Sequence, residues 1–144
     1  MLASINNGVT RLFDHPDLGR LILRLTVGIL LLFHGAAKIE NGVGWIANML
    51  AAKGFPAFVA YGAYIGEVVA PVMIIIGLLT RPAALIIAVN MVVATLLVKM
   101  GDLTARTQVG AWALEAEAFF LLGAVVILLI GAGRYVLIRN PRWQ

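Results

Sequence analysis

Leu21-Ile22-Leu23-Arg24-Leu25-Thr26-Val27-Gly28-Ile29-Leu30-Leu31-Leu32-Phe33-His34-Gly35-Ala36-Ala37-Lys38 decides the fold. Its centre, Leu21 to Phe33, is almost wholly apolar, with Arg24 near its start and His34 and Lys38 at its end. Taken from Leu18 to Ile39, the run makes a helix of about 33 Å, enough to cross a hydrocarbon core of about 30 Å. Three further runs follow over residues 58–79, 82–99 and 111–132. Pro82 stands where a first helical turn tolerates it. The join Leu79-Thr80-Arg81-Pro82 admits only an antiparallel hairpin. The expected fold is an all-α integral membrane protein, an antiparallel bundle of four transmembrane helices.

The composition agrees. Of 144 residues, 62% are hydrophobic and 12% charged, against about 45–50% and about 25% in soluble domains. Mean hydropathy is +0.98. These values exclude an ordinary soluble enzyme, a disordered chain and a nucleic-acid binder. The net charge of +4 comes from scattered cations, suited to topology and anionic headgroups. No cysteine is present, which removes thiolate nucleophiles, disulfides and Cys-ligated clusters.

Outside the spans, Leu2, Ile5, Val9, Leu12 and Phe13 recur at helical spacing. They predict either a surface amphipathic helix ended by His15-Pro16 or a tail. Polar residues interrupt any signal-peptide core there. In the long first loop, Trp45, Ile46, Met49 and Leu50 predict a short interfacial helix or a re-entrant piece, capped by Gly54. The organisation is thus an N-terminal segment over 1–17, a membrane domain over 18–138 and a basic tail over 139–144.

Cation counting orients the bundle. With four spans, Arg11, Arg20, Arg24, Arg81, Arg134, Arg139 and Arg142 share one side, and Lys38, Lys53, Lys99 and Arg106 the other. Seven against four places both termini in the cytoplasm. His34, Lys38, Glu67, Lys99, Glu115 and Glu117 then share the outer half. Charges in hydrocarbon cost at least about 2.5–3.5 kcal/mol each, so they face the bundle and find partners.

Glu67 is the strongest candidate, a lone carboxylate in the middle of a helix. Pro71, four residues on, cannot donate to the Glu67 carbonyl, and Gly62 and Gly66 invite a neighbouring helix. Its expected partner is Lys38, His34 or Arg24, in a functional site or a purely structural ion pair. The lysines can also snorkel to headgroups, Arg20 can anchor the interface, and His34 can be a packing residue. Glu115 and Glu117, two apart, point to nearly opposite faces, so at most one enters the same cavity.

The same residues carry a family pattern. Gly19-Arg20-Leu21-Ile22-Leu23-Arg24-Leu25, then His34-Gly35-Ala36-Ala37-Lys38, resembles the opening of DoxX-family membrane proteins. Gly66-Glu67, then Gly77-Leu78-Leu79-Thr80-Arg81-Pro82, resembles their second motif. Gly131-Ala132-Gly133-Arg134-Tyr135 resembles their close, although Val136-Leu137-Ile138 replaces the usual Ser-Leu-Asp. The resemblance implies a four-helix membrane fold. It also implies roles ranging from a thiosulfate:quinone oxidoreductase subunit to membrane anchors and assembly factors.

The first functional expectation is therefore a small inner-membrane subunit of a quinone-linked oxidoreductase. Glu67 and His34 would do its proton chemistry. Arg24, His34, Lys38, Glu67 and Glu115 would bind the quinone. The sequence carries no haem-type His pair, nucleotide motif or Fe–S signature, and no metal spacing. Bound quinone or a redox partner subunit must supply the electrons, within a homo-oligomer or a hetero-complex in the bilayer. The alternatives are a non-enzymatic scaffold or assembly factor, and a small anion transporter.

Overall fold

Long runs of Leu, Ile, Val and Ala leave the backbone no polar partner in lipid but itself, so they fold as helices. The computed structural model describes residues 2–138 and 140 and is helical, with one isolated antiparallel bridge between Arg106 and Trp112. Helix α1 covers Leu2–Phe13, α2 covers Pro16–Asn41 and α3 covers Gly44–Ala52. Helix α4 covers Ala57–Ile76 and α5 covers Thr80–Asp102. Helix α6 covers Glu115–Ile130. Arg139, Arg142 and the rest of the tail except Asn140 lie outside the described residues.

Among the described residues three helices, α2, α4 and α5, are long and apolar enough to cross a membrane. The fourth apolar run is shorter than its expected 111–132. Helix α6 has 16 residues, a rise of about 24 Å. Residues 103–114 instead form a turn-rich loop. There the Thr107 N–H donates to the Ala111 carbonyl (2.8 Å), and the Trp112 indole N–H to the Leu103 carbonyl (2.9 Å). At its other end α6 stops at Gly131, with φ +74° and ψ −170°, a conformation essentially reserved for glycine. Helix α4 stops three residues before the expected 79, because Gly77 turns left-handed at φ +79°.

In lipid, helices associate through close packing rather than hydrophobic burial, so small residues decide where they meet. Gly28 of α2 lies against Pro71 and Ile75 of α4, and Gly35 against Glu67 and Val68. These pairs run α2 and α4 antiparallel. Gly66 of α4 lies against Asn90 of α5, and Gly123 of α6 against Val27 of α2. Val27, Leu31, Ile74, Ile87, Ala124 and Ile127 fill the space between the four helices. Phe33, Phe119 and Leu129 point outward, as a bilayer-facing surface requires.

A Cβ on Gly35 would fall on the Glu67 carbonyl oxygen. Gly35→Ala is therefore expected to lower stability by about 1–3 kcal/mol, the usual cost of overpacking. Gly19→Ala, with open space around it, serves as the neutral control. Thermal unfolding in detergent compares them, and equal melting would dismiss the close approach.

At the end of the bundle where α2 begins, residues 131–138 form a non-helical strap. Arg24 is fully buried there. Its guanidinium donates to the Ala132 carbonyl, to the Tyr135 carbonyl (2.8 Å) and, at 3.4 Å, to the Ile75 carbonyl. Leu137 N–H donates to the Ile76 carbonyl (3.0 Å), and Arg81 Nε to the Leu128 carbonyl (3.1 Å). Asp17 pairs with Arg20 at 2.7 Å and accepts from the Arg134 N–H at 3.4 Å.

Candidate functional site

Three local features converge on Glu67. Pro71 has no N–H for the Glu67 carbonyl. The helix accommodates this region with a π turn over Ile65–Val69, the wider winding often found at functional sites. Gly35 then lets α2 close on that stretch, and Gly66 lets α5 close from the other side.

Lys38 Nζ donates to Glu67 Oε2, forming a salt bridge whose side chains are 18% and 7% exposed. Asn90 Nδ2 donates to Glu67 Oε1 at 3.3 Å. Tyr64 Oη donates to the Lys38 carbonyl at 3.0 Å, fixing the end of α2 to α4. Both carboxylate oxygens thus have donors, one cationic and one neutral.

A cavity lies on either side of this pair. The larger, about 540 Å³, is a groove between α3, α4 and α5. Trp45, Ile46, Met49, Ile65, Val89 and Leu97 are among its apolar walls, and Lys38, Glu67 and Asn90 are its polar end. Helix α3 roofs it, held by Lys53 Nζ on the Leu97 carbonyl at 2.6 Å. The smaller, about 170 Å³, lies among α2, α5 and α6 and is lined by His34, Lys99, Glu117, Met91 and Phe120. Lys38 and Glu67 line both.

The candidates separate. Lys38 and Glu67 are in contact. His34 is exposed and lines only the smaller cavity, its Nδ1 3.2 Å from the Leu30 carbonyl and its ring edge-on to Phe120 at 5.4 Å. Arg24 lies apart from Glu67: it sits at the strap end on carbonyl oxygens and lines neither cavity, because its depth in α2 places it beside Ile75. Glu115 also lies apart, exposed and lining neither cavity. Its neighbour Glu117 takes the inward face and stands 3.7 Å from Lys99. Among the described residues no three His, Cys, Asp or Glu side chains gather as a metal site.

Sequence reasoning missed Asn90. The available signal was an amide in the middle of an otherwise apolar fifth helix, which in lipid needs a partner.

A family model described as DoxX matches residues 19–100. The chain belongs to the DoxX family. It is a multi-pass membrane protein. The DoxX match spans α2 to α5 and so contains Lys38, Glu67 and Asn90, whereas α6 and the strap lie beyond it. The Bacillus subtilis (strain 168) protein "Putative oxidoreductase CatD" is 31% identical over 84 residues, 58% of this chain and 62% of that protein. The chain therefore covers less than two thirds of that DoxX-like relative's length. No solved structure matches this chain.

Proposed function

We propose that this DoxX-family chain is a small subunit of a quinone-linked oxidoreductase system in the inner membrane. In this reading α6 is a fourth crossing, both termini are cytoplasmic, and α1 and α3 lie in the interfaces. The supporting observation is the groove of about 540 Å³ that ends on Lys38, Glu67 and Asn90. That volume falls within the range of about 300–1,000 Å³ typical of small-molecule sites. Apolar walls suit an isoprenoid tail, and the polar end suits a headgroup oxygen. The name of the B. subtilis relative supports a redox setting.

A bound quinone would supply two-electron, two-proton carrier chemistry. The chain's own residues supply the rest. Lys38 and Asn90 present N–H donors at one point, currently shared with Glu67. Glu67 offers a carboxylate that can hold or release a proton there. Trp45 and Ile46 line the groove beside these residues. Neither donor is a redox centre, so electrons come from a partner subunit.

The test is extraction of the purified protein with organic solvent, followed by binding of a short-tailed quinone to the emptied protein. Quinone is expected in the extract. Asn90→Leu should weaken rebinding about 10-fold, the loss of one hydrogen bond in a dry site at roughly 1.5 kcal/mol. Neither co-purified nor rebound quinone would transfer the reading to a scaffold.

A further inference from the structure

The two cavities that meet at Glu67 differ in kind. Five of the twelve residues lining the smaller one are ionisable: His34, Lys38, Glu67, Lys99 and Glu117. The groove has only Lys38 and Glu67, the pair shared with its neighbour. Five such side chains facing hydrocarbon would cost at least about 2.5–3.5 kcal/mol each, whereas water in the cavity lowers that cost. A volume of about 170 Å³ holds roughly five waters at about 30 Å³ each.

Exposure grades along the cavity. The Lys99 side chain is 38% exposed and Glu117 24%, then Lys38 18% and Glu67 7%. Glu67 is the most buried of these four charges, and Lys99 the most exposed. Its signs balance, two lysines against two glutamates, with Asp102 a further 4.0 Å from Lys99. Balanced charge gives no standing preference for an anion and suits neutral water.

We propose that the smaller cavity is a hydrated vestibule through which water and protons reach Glu67, and that the Lys38–Glu67 pair is the wall between this wet space and the lipid-facing groove. Protons pass from bulk water along vestibule water to a Glu67 carboxylate oxygen. Lys99 and Glu117 hold α5 and α6 at the mouth. His34, Lys38, Lys99 and Glu117 are the charged or titratable groups sharing that space, and Tyr64 touches the Lys38 carbonyl behind it. The use of the proton rests on the quinone reading; the hydration does not.

The chain's lack of cysteine makes a clean test. Single cysteines are introduced in the full chain, reconstituted in vesicles, and exposed to a small, positively charged methanethiosulfonate. Only a thiolate reacts, so modification reports both water and removal of a proton at that position. Met91 lines only the vestibule and is 5% exposed, while Val89 lines only the groove and is 53% exposed. Met91→Cys is nevertheless expected to react at least 10-fold faster than Val89→Cys. Glu67→Cys should react as well. Adding Ala116→Phe, which fills the vestibule, should slow both reactive positions at least 10-fold, whereas Ala63→Phe, which fills the groove, should not.

Faster reaction at Val89, or indifference to Ala116→Phe, overturns the vestibule. Should Glu67→Cys fail to fold, Met91→Cys with the two plugs carries the same decision. Quinone extraction separates the two readings. A dry vestibule with co-purified quinone defeats this inference alone, and a wet vestibule without quinone defeats only the quinone site.

Discussion

Glu67→Leu is expected to destabilise the protein by about 3–5 kcal/mol, because it strands the Lys38 ammonium in a space from which its counter-ion has gone. Denaturation in mixed micelles reads this directly. Glu67→Gln should cost distinctly less, since an amide keeps acceptor capacity toward Lys38 and Asn90. The informative variant is Lys38→Met with Glu67→Leu. Replacing both charges by apolar groups of similar volume commonly restores much of the loss. A double variant as unstable as Glu67→Leu would mean that the pair's hydrogen bonds, not the stranded charge, set the cost. Of the three, the double variant should bind quinone most weakly, because it alone loses the Lys38 donor.

The second large effect belongs to the opposite end. Arg24→Met removes the donors of the Ala132 and Tyr135 carbonyls. Hydrogen bonds to a charged group contribute about 1.5–3 kcal/mol each, so the expected loss is about 3–6 kcal/mol. It should be local first. The strap would detach, and cleavage after Tyr135 by a chymotrypsin-type protease should rise well before the helices unfold. Arg24→Lys should recover little, because an ammonium cannot reproduce a fork that reaches two carbonyls. Quinone binding should survive, as Arg24 lines neither cavity. A strap that stays protected in Arg24→Met would refute the clamp.

Apolar runs and short turns made most of the fold legible from sequence. The first span, the hairpin at 79–82 and the helix in the first loop all follow from hydropathy and chain length. The start of α6 did not, because Ala111-Trp112-Ala113-Leu114 is as apolar as the run beyond Glu117. Only the turn hydrogen bonds of the 103–114 loop distinguish them.

The site was half legible. Glu67 and Lys38 stood out as costly charges at matching depth, and their antiparallel helices made contact plausible. Helix face alone could not sort Arg24 from Lys38, which share one stripe of α2; their separation of about 21 Å along the axis does. Which of Glu115 and Glu117 turns inward depends on where α6 begins, which hydropathy does not show. The division into a groove and a vestibule needs the third dimension, since Lys38 and Glu67 face both.

The strap has a consequence for biosynthesis. Arg24 and its acceptors at Ala132 and Tyr135 are separated by 108 and 111 residues. At synthesis rates of about 5–20 residues per second, the arginine emerges roughly 5–20 s before the carbonyls that will hold it. Throughout that interval the nascent chain carries a cation in its first hydrophobic segment with no strap to dock against. Only a ribosome that has translated past Tyr135 delivers the closing piece. Truncated chains would then display an open end and an unclamped arginine, a distinguishing mark that membrane quality control can read.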